Sequence, residues 1–362
     1  MKYFFSILIL LHGAIHLMGF VKAFNLAQID NLSATFTRGQ GLLWLTAFLL
    51  FSTCAAGYFA GKNFWPAVGV AAVVLSSLLI FTNWSDARFG MIPNVVIAFL
   101  VFAGYSSLRV DRMIANETRQ ILKGQLADTT EIICFKDIEA LPFPVRKWIE
   151  RSGMIGKPAI ANAKCHQHAL MRMKPDQKEW YEAEALQYTT TSKPAFIWTV
   201  ALNMSPFMQI RGRDKFVEGK GEMRMRMNDL ITVVNETGPK LDEGTLQRYL
   251  GELVWMPSLA LSPFITWEPV DSMSARATME YKGVSGTGTF YFGENGDFLR
   301  FETLRYMGND PDAKHYTWVI TADDHQEFQG IRVPSQMQAT WKLDEGDWTW
   351  LKLRITHLRY NV

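Results

Sequence analysis

The sequence predicts two dissimilar parts: a bundle of about four transmembrane α-helices, then an α+β domain built on a curved antiparallel sheet, or half-barrel, with a few packed helices. Residues 1–110 contain only six Lys and Arg and two Asp and Glu between long apolar runs, which is typical of helices that cross a bilayer. Further along, apolar and polar residues alternate with a period of two, which is typical of strands that bury one face. We place the transmembrane domain at 1–110, a juxtamembrane helical linker at 111–127 and the β-rich globular domain at 128–362.

Each of four apolar segments in the N-terminal part is close to the ~20 residues that a helix needs to cross ~30 Å of hydrocarbon. They are Tyr3–Phe24, Gly41–Ala60, Phe64–Phe81 and Met91–Leu108. The first begins like a signal peptide, but no cleavage site made of small residues follows it. The third is the shortest, so three crossings remain an alternative to four. We expect a multi-pass protein of a bacterial inner membrane, with the lipid bilayer as a partner.

The basic residues that flank these segments indicate the orientation of the C-terminal domain. With four crossings they fall on two faces: Lys2, Lys62, Arg109 and Arg112 on one, and Lys22, Arg38 and Arg88 on the other. The positive-inside rule favours the cytoplasm for the first face, and therefore for the C-terminal domain. The three cysteines are Cys54, Cys134 and Cys165. They give no disulfide framework, which agrees with a reducing compartment.

Two histidine pairs raise the question of a metal or haem. His12 and His16 lie four residues apart on one face of the first apolar segment, where polar groups are costly unless they have partners. They could hold a metal or haem between helices, or form hydrogen bonds across helices. We favour hydrogen bonding, because the predicted bundle contains no second histidine pair. His166 and His168 lie on a predicted strand without an evident third ligand. We therefore expect no metal and no cofactor.

The tail from residue 111 is nearly neutral. It holds 31 of the 37 Lys and Arg and 33 of the 35 Asp and Glu, hence a net charge of −2. Such a domain lacks the excess of Lys and Arg that is typical of nucleic-acid-binding domains, and we expect no nucleic acid as a partner. Helices are predicted at Leu141–Arg151, with prolines in its first turn, and at Glu243–Met256, which Pro257 ends.

Alternation with a period of two predicts the strands of the tail. It is clearest in Glu222–Asn228, where three methionines point one way and charged side chains the other. Similar runs occur at Tyr181–Thr191, Phe196–Asn203, Phe207–Phe216, Arg276–Lys282, Thr287–Phe292, Phe298–Tyr306, Val333–Trp341 and Trp350–Ile355. Short turn signals separate several of them, which indicates antiparallel neighbours. The Gly-rich stretch Gly283–Gly288 opens no predicted helix, so we interpret it as a turn and a closely packed strand.

The tail also resembles a group of bacterial proteins that carry a domain of unknown function, some of them tethered by membrane helices. The resemblance begins at Leu141–Val145, continues through Pro194–Trp198 and Gly212–Asp214, and is most specific from Arg248 to Pro257. Members of the group show Ala or a similar residue where this chain has Gly251. The resemblance implies a fold like that of lipoprotein carriers, an open half-barrel closed by helices around an apolar cavity. It implies no reaction.

Charged and aromatic residues of the predicted helix and strands form the candidate site. Arg248 and Glu252 lie four residues apart on the predicted helix and share a face near Trp255. One interpretation is a surface ion pair, worth under ~1 kcal/mol. The alternative places the pair at the mouth of the sheet cavity, where it orients a polar head group. The candidate ligand-binding residues are Arg213, Asp214, Arg248, Glu252, Trp255, Trp267 and Arg305.

No motif fixes a reaction. The sequence lacks a phosphate-binding Gly-rich loop, a G-x-S-x-G elbow, an H-E-x-x-H pair and a C-x-x-C pair. Three hypotheses remain: a membrane-anchored protein that binds a lipid or another apolar molecule, an enzyme that uses the charged cluster around Arg248 and Glu252, and a scaffold for partner proteins. The 12 Trp, 24 Phe and 17 Met favour the first.

Overall fold

The chain forms two compact units, Met1–Met113 and Ile114–Val362. The structure is a computed structural model that describes residues 2–29, 34–123, 131–205 and 208–362. The first unit is helical, and the second is built on a curved sheet with a few helices. The predicted fold class is confirmed. The predicted domain limits at residues 110 and 127 remain predictions.

Apolar helices make up the first unit. They are α1 (Lys2–Ile15), α2 (Leu17–Ala23), α3 (Arg38–Phe59), α4 (Trp65–Thr82), α5 (Trp84–Ala87) and α6 (Met91–Leu122), with a 3-10 turn at Arg88–Gly90. Within the described residues, four stretches are long and apolar enough to cross a membrane: Lys2–Ala23, Arg38–Phe59, Trp65–Thr82 and Trp84–Leu122. The four predicted apolar segments are therefore helical, as expected.

A buried hydrogen-bond network joins α1 and the start of α2 to α4 and α6. His12 Nε2 lies 2.8 Å from Asn94 Oδ1, and His16 Nε2 lies 2.8 Å from Ser76 Oγ. Asn94 Nδ2 donates to Ser76 Oγ at 2.9 Å, which links the two histidine contacts. All four side chains are buried. The hydrogen-bonding interpretation therefore accounts for both histidines, since polar groups among apolar helices need such partners.

Helix α6 runs without a break through residues 111–122 of the predicted linker. The rest of the linker, at 124–130, lies outside the described residues. Within the second unit, Glu117 of α6 pairs with Lys215 Nζ at 2.8 Å and with Arg213 Nε at 3.3 Å. Apolar contacts around the end of α6 join Ile121, Ala195 and Ile197. The last turns of α6 are therefore held on one face of the sheet.

The described residues of the second unit form one sheet of thirteen strands. The strands are β1 (Asn162–Met171), β2 (Tyr181–Thr190), β3 (Ala195–Ser205), β4 (Met208–Val217), β5 (Lys220–Met227), β6 (Ile231–Thr237), β7 (Ile265–Pro269), β8 (Ser274–Tyr281), β9 (Val284–Phe292), β10 (Phe298–Tyr306), β11 (His315–Phe328), β12 (Ile331–Leu343) and β13 (Gly346–Tyr360). Their spatial order is β6-β5-β4-β3-β2-β1-β13-β12-β11-β10-β9-β8-β7, with every pair antiparallel. Two meanders thus meet where β1 pairs with β13.

The predicted strands correspond to observed strands, with ends that differ by a few residues. Phe207, the predicted start of β4, lies outside the described residues. Strands β6, β7 and β11 carry no clear alternation and were not predicted. β6 has no buried face, β7 has five residues, and β11 is interrupted by bulges around Asp324. A bulge shifts the side chains that follow it to the other face, which breaks the period of two.

Two short helices, α7 (Phe135–Ile138) and α8 (Phe143–Arg151), precede the sheet, and α9 (Pro239–Gly251) connects β6 to β7. Helix α9 begins four residues earlier than the predicted Glu243, because Pro239 at its first position fixes a helical φ. It ends at Gly251, and a 3-10 turn at Glu252–Trp255 replaces the last predicted turn. A second 3-10 turn at Pro257–Leu261 lies beyond the predicted end of the helix.

The position of α9 closes the half-barrel. It packs against β4 and β5 of one meander and against β8, β9 and β10 of the other. Gly286 of β9 allows this approach, because a Cβ there would lie 2.7 Å from Leu246 Cδ2 of α9. A Cβ on Gly288 would lie 2.2 Å from Phe301 of the neighbouring strand β10. The interpretation of Gly283–Gly288 as a turn and a closely packed strand agrees with this geometry. The main core, with Tyr249 fully buried, lies between α9 and the sheet.

Candidate functional site

A cavity of about 440 Å³ lies between α9 and the inner face of the sheet. Its wall is mostly apolar and rich in aromatic and thioether side chains. Six described tryptophans line it, Trp198, Trp255, Trp318, Trp341, Trp348 and Trp350, together with Met223, Met307 and Met337. Strand pairing explains part of this wall, because Trp341 lies opposite Trp318 on one side and Trp348 on the other. Such a wall suits an apolar ligand.

The charged residues of the wall are centred on Arg248. Its Nε donates to Glu252 Oε1 at 2.7 Å, its Nη1 to Asp214 Oδ2 at 2.8 Å and its Nη2 to Gln187 Oε1 at 3.2 Å. Gln187 Nε2 in turn donates to Glu252 Oε2 at 2.7 Å. We call these four residues the Arg248 cluster. Glu252 is 8% exposed, so the interpretation of Arg248 and Glu252 as a surface ion pair does not hold.

The sheet register assembles the Arg248 cluster from distant parts of the sequence. Gln187 of β2 lies opposite Trp198 of β3, which lies opposite Asp214 of β4. This row of side chains faces α9, and Arg248 lies over it with its Cζ 4.8 Å from the Trp198 ring centroid. Stacking on an aromatic ring further stabilises the guanidinium in a partly dry site.

Burial and mutual attraction set the protonation of the charged groups. Burial raises the pKa of Asp214, although Arg248 and the other arginines oppose that effect. Burial alone would lower the pKa of Arg248, but the carboxylates of Glu252 and Asp214 outweigh it and raise that pKa. Burial lowers the pKa of Arg305 to about 10, with repulsion from Arg248 as a further cause. Both arginines therefore remain cations at neutral pH.

Arg305 belongs to the cavity wall but not to the Arg248 cluster. Its Cζ lies 4.7 Å from the Trp318 ring centroid and 5.8 Å from that of Trp341. Among the residues that the structure describes, no carboxylate forms a salt bridge with Arg305 and no acceptor takes a hydrogen bond from it. The indole N–H groups of Trp318, Trp348 and Trp350 are also buried without an acceptor in the described part of the chain.

The loop between β10 and β11 borders the mouth of the cavity and is hydrogen-bonded to the end of β6 and the start of α9. Asn309 Nδ2 donates to Glu236 Oε2 at 2.7 Å. Lys240 Nζ donates to the carbonyl oxygens of Asp310 and Pro311 at 2.6 and 2.8 Å. Asn309 is therefore partly buried and hydrogen-bonded, although the Gly-Asn-Asp-Pro sequence around it is typical of an exposed turn.

Two predicted site residues lie away from the cavity. Arg213 precedes Asp214 on β4, so its side chain points to the opposite face of the strand, where it pairs with Glu117 and Glu222. Trp267 of β7 donates its indole N–H to the carbonyl of Ala260 at 3.0 Å and is absent from the cavity wall. The other five candidates, Asp214, Arg248, Glu252, Trp255 and Arg305, all line the cavity.

Sequence reasoning missed several residues of the wall. Gln187 is a polar side chain in an inward-facing row that otherwise holds small residues such as Ala183 and Ala185. This break in the pattern could have identified Gln187 as a candidate site residue. Trp318 lies on the unpredicted strand β11. Trp341 and Trp348 lie on either side of a hairpin, and their shared role follows only from the register of β12 with β13.

The other candidate ligand groups of the tail form no site. Cys165 of β1 faces the core, and burial raises the pKa of its thiol to about 12. His166 and His168 alternate with buried positions and face the other side of the strand. In the ranges that the structure describes, no group of three His, Cys, Asp or Glu is arranged to hold a metal ion.

Comparisons with known proteins place the tail in a family. The model of DUF6544, a family of unknown function, matches residues 131–353. None of the curated proteins matches the chain. Among solved structures, the crystal structure of the LolA superfamily protein NE2245 from Nitrosomonas europaea aligns with 59% of this chain and 92% of its own, at 10% identity and a TM-score of 0.33. A likeness at that level carries no argument about function.

Proposed function

This chain belongs to DUF6544, a family of unknown function, and we propose that its half-barrel binds a lipid or another apolar molecule in the cavity beneath α9. The observation that carries the proposal is the cavity itself, about 440 Å³ with six tryptophans in its wall. Ligand pockets commonly measure ~300–1,000 Å³ and are lined by apolar and aromatic side chains with a few polar groups. The cavity and its wall have both properties.

The physical reason for binding is the removal of apolar surface from water. A preformed aromatic wall costs little ordering energy when a ligand enters, and each buried CH₂ group of the ligand contributes roughly 0.8 kcal/mol. Methionines such as Met337 add flexible, polarizable contacts that tolerate more than one ligand shape. We therefore assign the cavity to a flexible chain and not to one rigid molecule.

The proposal gives the Arg248 cluster a structural role. Arg248 binds both Asp214 and Glu252, and Gln187 occupies the second oxygen of Glu252. A general acid or base needs a carboxyl group that is free to exchange a proton with a substrate. Glu252 has both oxygens engaged, and the second oxygen of Asp214, Oδ1, has no partner within the described residues but is buried away from the cavity space. We therefore infer that the cluster anchors α9 to β2 and β4. An enzyme that uses these groups is the alternative.

The four apolar helices support a role at a membrane. They carry the length and composition of spanning segments, and we propose that they anchor the half-barrel to a bacterial inner membrane with the C-terminal domain in the cytoplasm. The full chain should stay in the membrane fraction after a carbonate wash and require detergent for extraction. Release by carbonate would contradict membrane anchoring.

Photocrosslinking in cells tests the proposed ligand directly. Photo-methionine, a nearly isosteric diazirine analogue, is incorporated throughout the full chain, and the chain is irradiated in its native membrane. Met337 lines the cavity, whereas Met273 is 46% exposed and lies outside the cavity wall. We expect a peptide containing residue 337 to gain the mass of an apolar small molecule, and the peptide containing residue 273 to gain none.

Two results would contradict the binding proposal. One is the absence of any adduct on peptides that contain cavity methionines, while methionines of the apolar helices such as Met18 show lipid adducts in the same sample. The other is an equal adduct yield at Met273 and Met337, because that would indicate random capture of lipid and not occupancy of the cavity.

A further inference from the structure

The cavity contains a cation whose charged group faces its interior and has no hydrogen-bond or ion-pair partner among the residues that the structure describes. Arg305 points inward from β10, next to Trp318 and Trp341. Its guanidinium nitrogens are accessible from the cavity and form no hydrogen bond with any residue that the structure describes. Burying a cation without a partner costs free energy, so its retention at this position needs an explanation.

The neighbouring charged groups do not supply that partner. Arg248 uses all three of its nitrogen positions on Glu252, Asp214 and Gln187. Asp214 and Glu252 therefore form their salt bridges with Arg248, and they attract Arg305 only from beyond salt-bridge distance. At the mouth, Glu236 accepts from the amide of Asn309. Cation–π contacts with the two tryptophans offset part of the cost at Arg305, typically less than a full ion pair does.

We infer that the molecule bound in this cavity is an anionic amphiphile, whose carboxylate or phosphate head group pairs with Arg305 while its apolar chain lies along the tryptophan wall. This inference rests on the proposed function. Guanidinium is suited to the task, since its planar fork donates two parallel hydrogen bonds to either anion. The indole rings beside Arg305 exclude water, which strengthens that interaction.

The position of Arg305 depends on Gly244 of α9. A Cβ at Gly244 would lie 2.8 Å from Arg305 Nε, so any larger residue must push the guanidinium away. Gly244 has no positive φ and lies inside the helix, where Ala is the better helix former. Gly244→Ala therefore displaces Arg305 without weakening the helix, and it complements the direct removal of the charge.

Equilibrium dialysis tests the inference on the full chain held in amphipol, with empty amphipol as the blank. The probes are radiolabelled dodecanoate, dodecyl phosphate and dodecanol, and the variants are Arg305→Met and Gly244→Ala. The matched control is Arg300→Met, because Arg300 lies on the same strand but faces outward and pairs with Glu302. Circular dichroism and thermal unfolding establish that each variant keeps its fold.

In the wild type and in Arg300→Met, we expect both anionic probes to bind at least about tenfold more tightly than dodecanol, which corresponds to about 1.4 kcal/mol. Arg305→Met should abolish this preference and leave dodecanol binding unchanged. Gly244→Ala should reduce the preference. Acetate and inorganic phosphate alone should fail to displace the probes, since the chain supplies most of the binding free energy.

Each contrary result has a distinct meaning. Equal binding of dodecanol and dodecanoate by the wild type, or an unchanged preference in folded Arg305→Met, would overturn the anionic head group while leaving an apolar ligand in place. Displacement by inorganic phosphate at similar concentrations would replace the amphiphile with a free anion. Failure of all three probes to bind above the amphipol blank would contradict the proposed function itself.

Discussion

Replacing Glu252 with Gln tests whether the Arg248 cluster holds α9 against the sheet. The substitution preserves the size of the side chain but removes its charge and turns one of its two acceptor oxygens into a donor. Arg248 Nε and Gln187 Nε2, both 2.7 Å from the carboxylate, then compete for the one remaining acceptor. Arg248 keeps Asp214 as its only carboxylate partner within the described residues.

The size of the effect follows from burial. Removing one partner of a buried ion pair costs ~3–5 kcal/mol, because the other charge stays buried and less well paired. The side chains of Arg248 and Glu252 are 12% and 11% exposed, so some water reaches them and the lower value of about 3 kcal/mol applies. For a unit of this size, about 3 kcal/mol lowers the melting temperature by roughly 6–12 °C.

Thermal unfolding of the full chain in detergent, followed by tryptophan fluorescence, measures this loss. Glu218→Gln is the matched control, because it makes the same substitution in an exposed pair with Lys282, and it should cost under ~1 kcal/mol. A drop of 2 °C or less in Glu252→Gln, on the order of the control, would refute the structural role of the cluster.

Three further predictions concern stability and topology. Trp255→Ala removes a side chain that is 4% exposed and should cost ~3–5 kcal/mol in a denaturant titration; a cost of ~0.5 kcal/mol or less, as for a surface substitution, would contradict its place in the core. Burial alone would raise the pKa of Glu222, but hydrogen bonds from its basic partners lower it to about 2 from 4.5. The stabilising effect of the Glu222 carboxylate is therefore present above pH 4.5 and is lost as the pH falls towards about 2. The difference in unfolding free energy between the wild type and Glu222→Gln should decrease to zero over that range. A difference that does not change with pH would contradict the lowered pKa of Glu222. Exposed Cys134 and an introduced Glu345→Cys should react with an impermeant maleimide only after cells are lysed; labelling in intact cells would place the domain outside.

Local patterns predicted much of the fold because they record burial directly. The run Arg276–Lys282 located β8 to within two residues at each end, since Ala277, Met279 and Tyr281 are buried while Arg276 and Glu280 are exposed. Strand β6 was not predicted because neither of its faces is buried, so its apolar and polar residues do not alternate. The order of the strands, and the pairing of the first strand with the last, depends on contacts between distant segments that no local pattern records.

The same distinction applies to the site. The pairing of Arg248 with Glu252 was predictable, because residues four apart on a helix are neighbours whatever surrounds them. Arg213 was assigned to the cavity wrongly, because deciding between adjacent residues of a strand requires knowing which face of the sheet is concave. The sequence could not show that Arg305 lacks a salt bridge within the described residues, since this depends on which carboxylates pair with Arg248 in the folded chain.

Native mass spectrometry of the purified full chain tests the central claim most directly. Ala339 is buried, lines the cavity and lies between Ile320 and Leu351 on the neighbouring strands, so Ala339→Phe fills space that a ligand would occupy. We predict that the wild type carries an apolar adduct, that Glu252→Gln retains it and that Ala339→Phe loses it while keeping its fold. An unliganded wild type, or an equally abundant adduct in the filled variant, would contradict the claim that the half-barrel is a binding site.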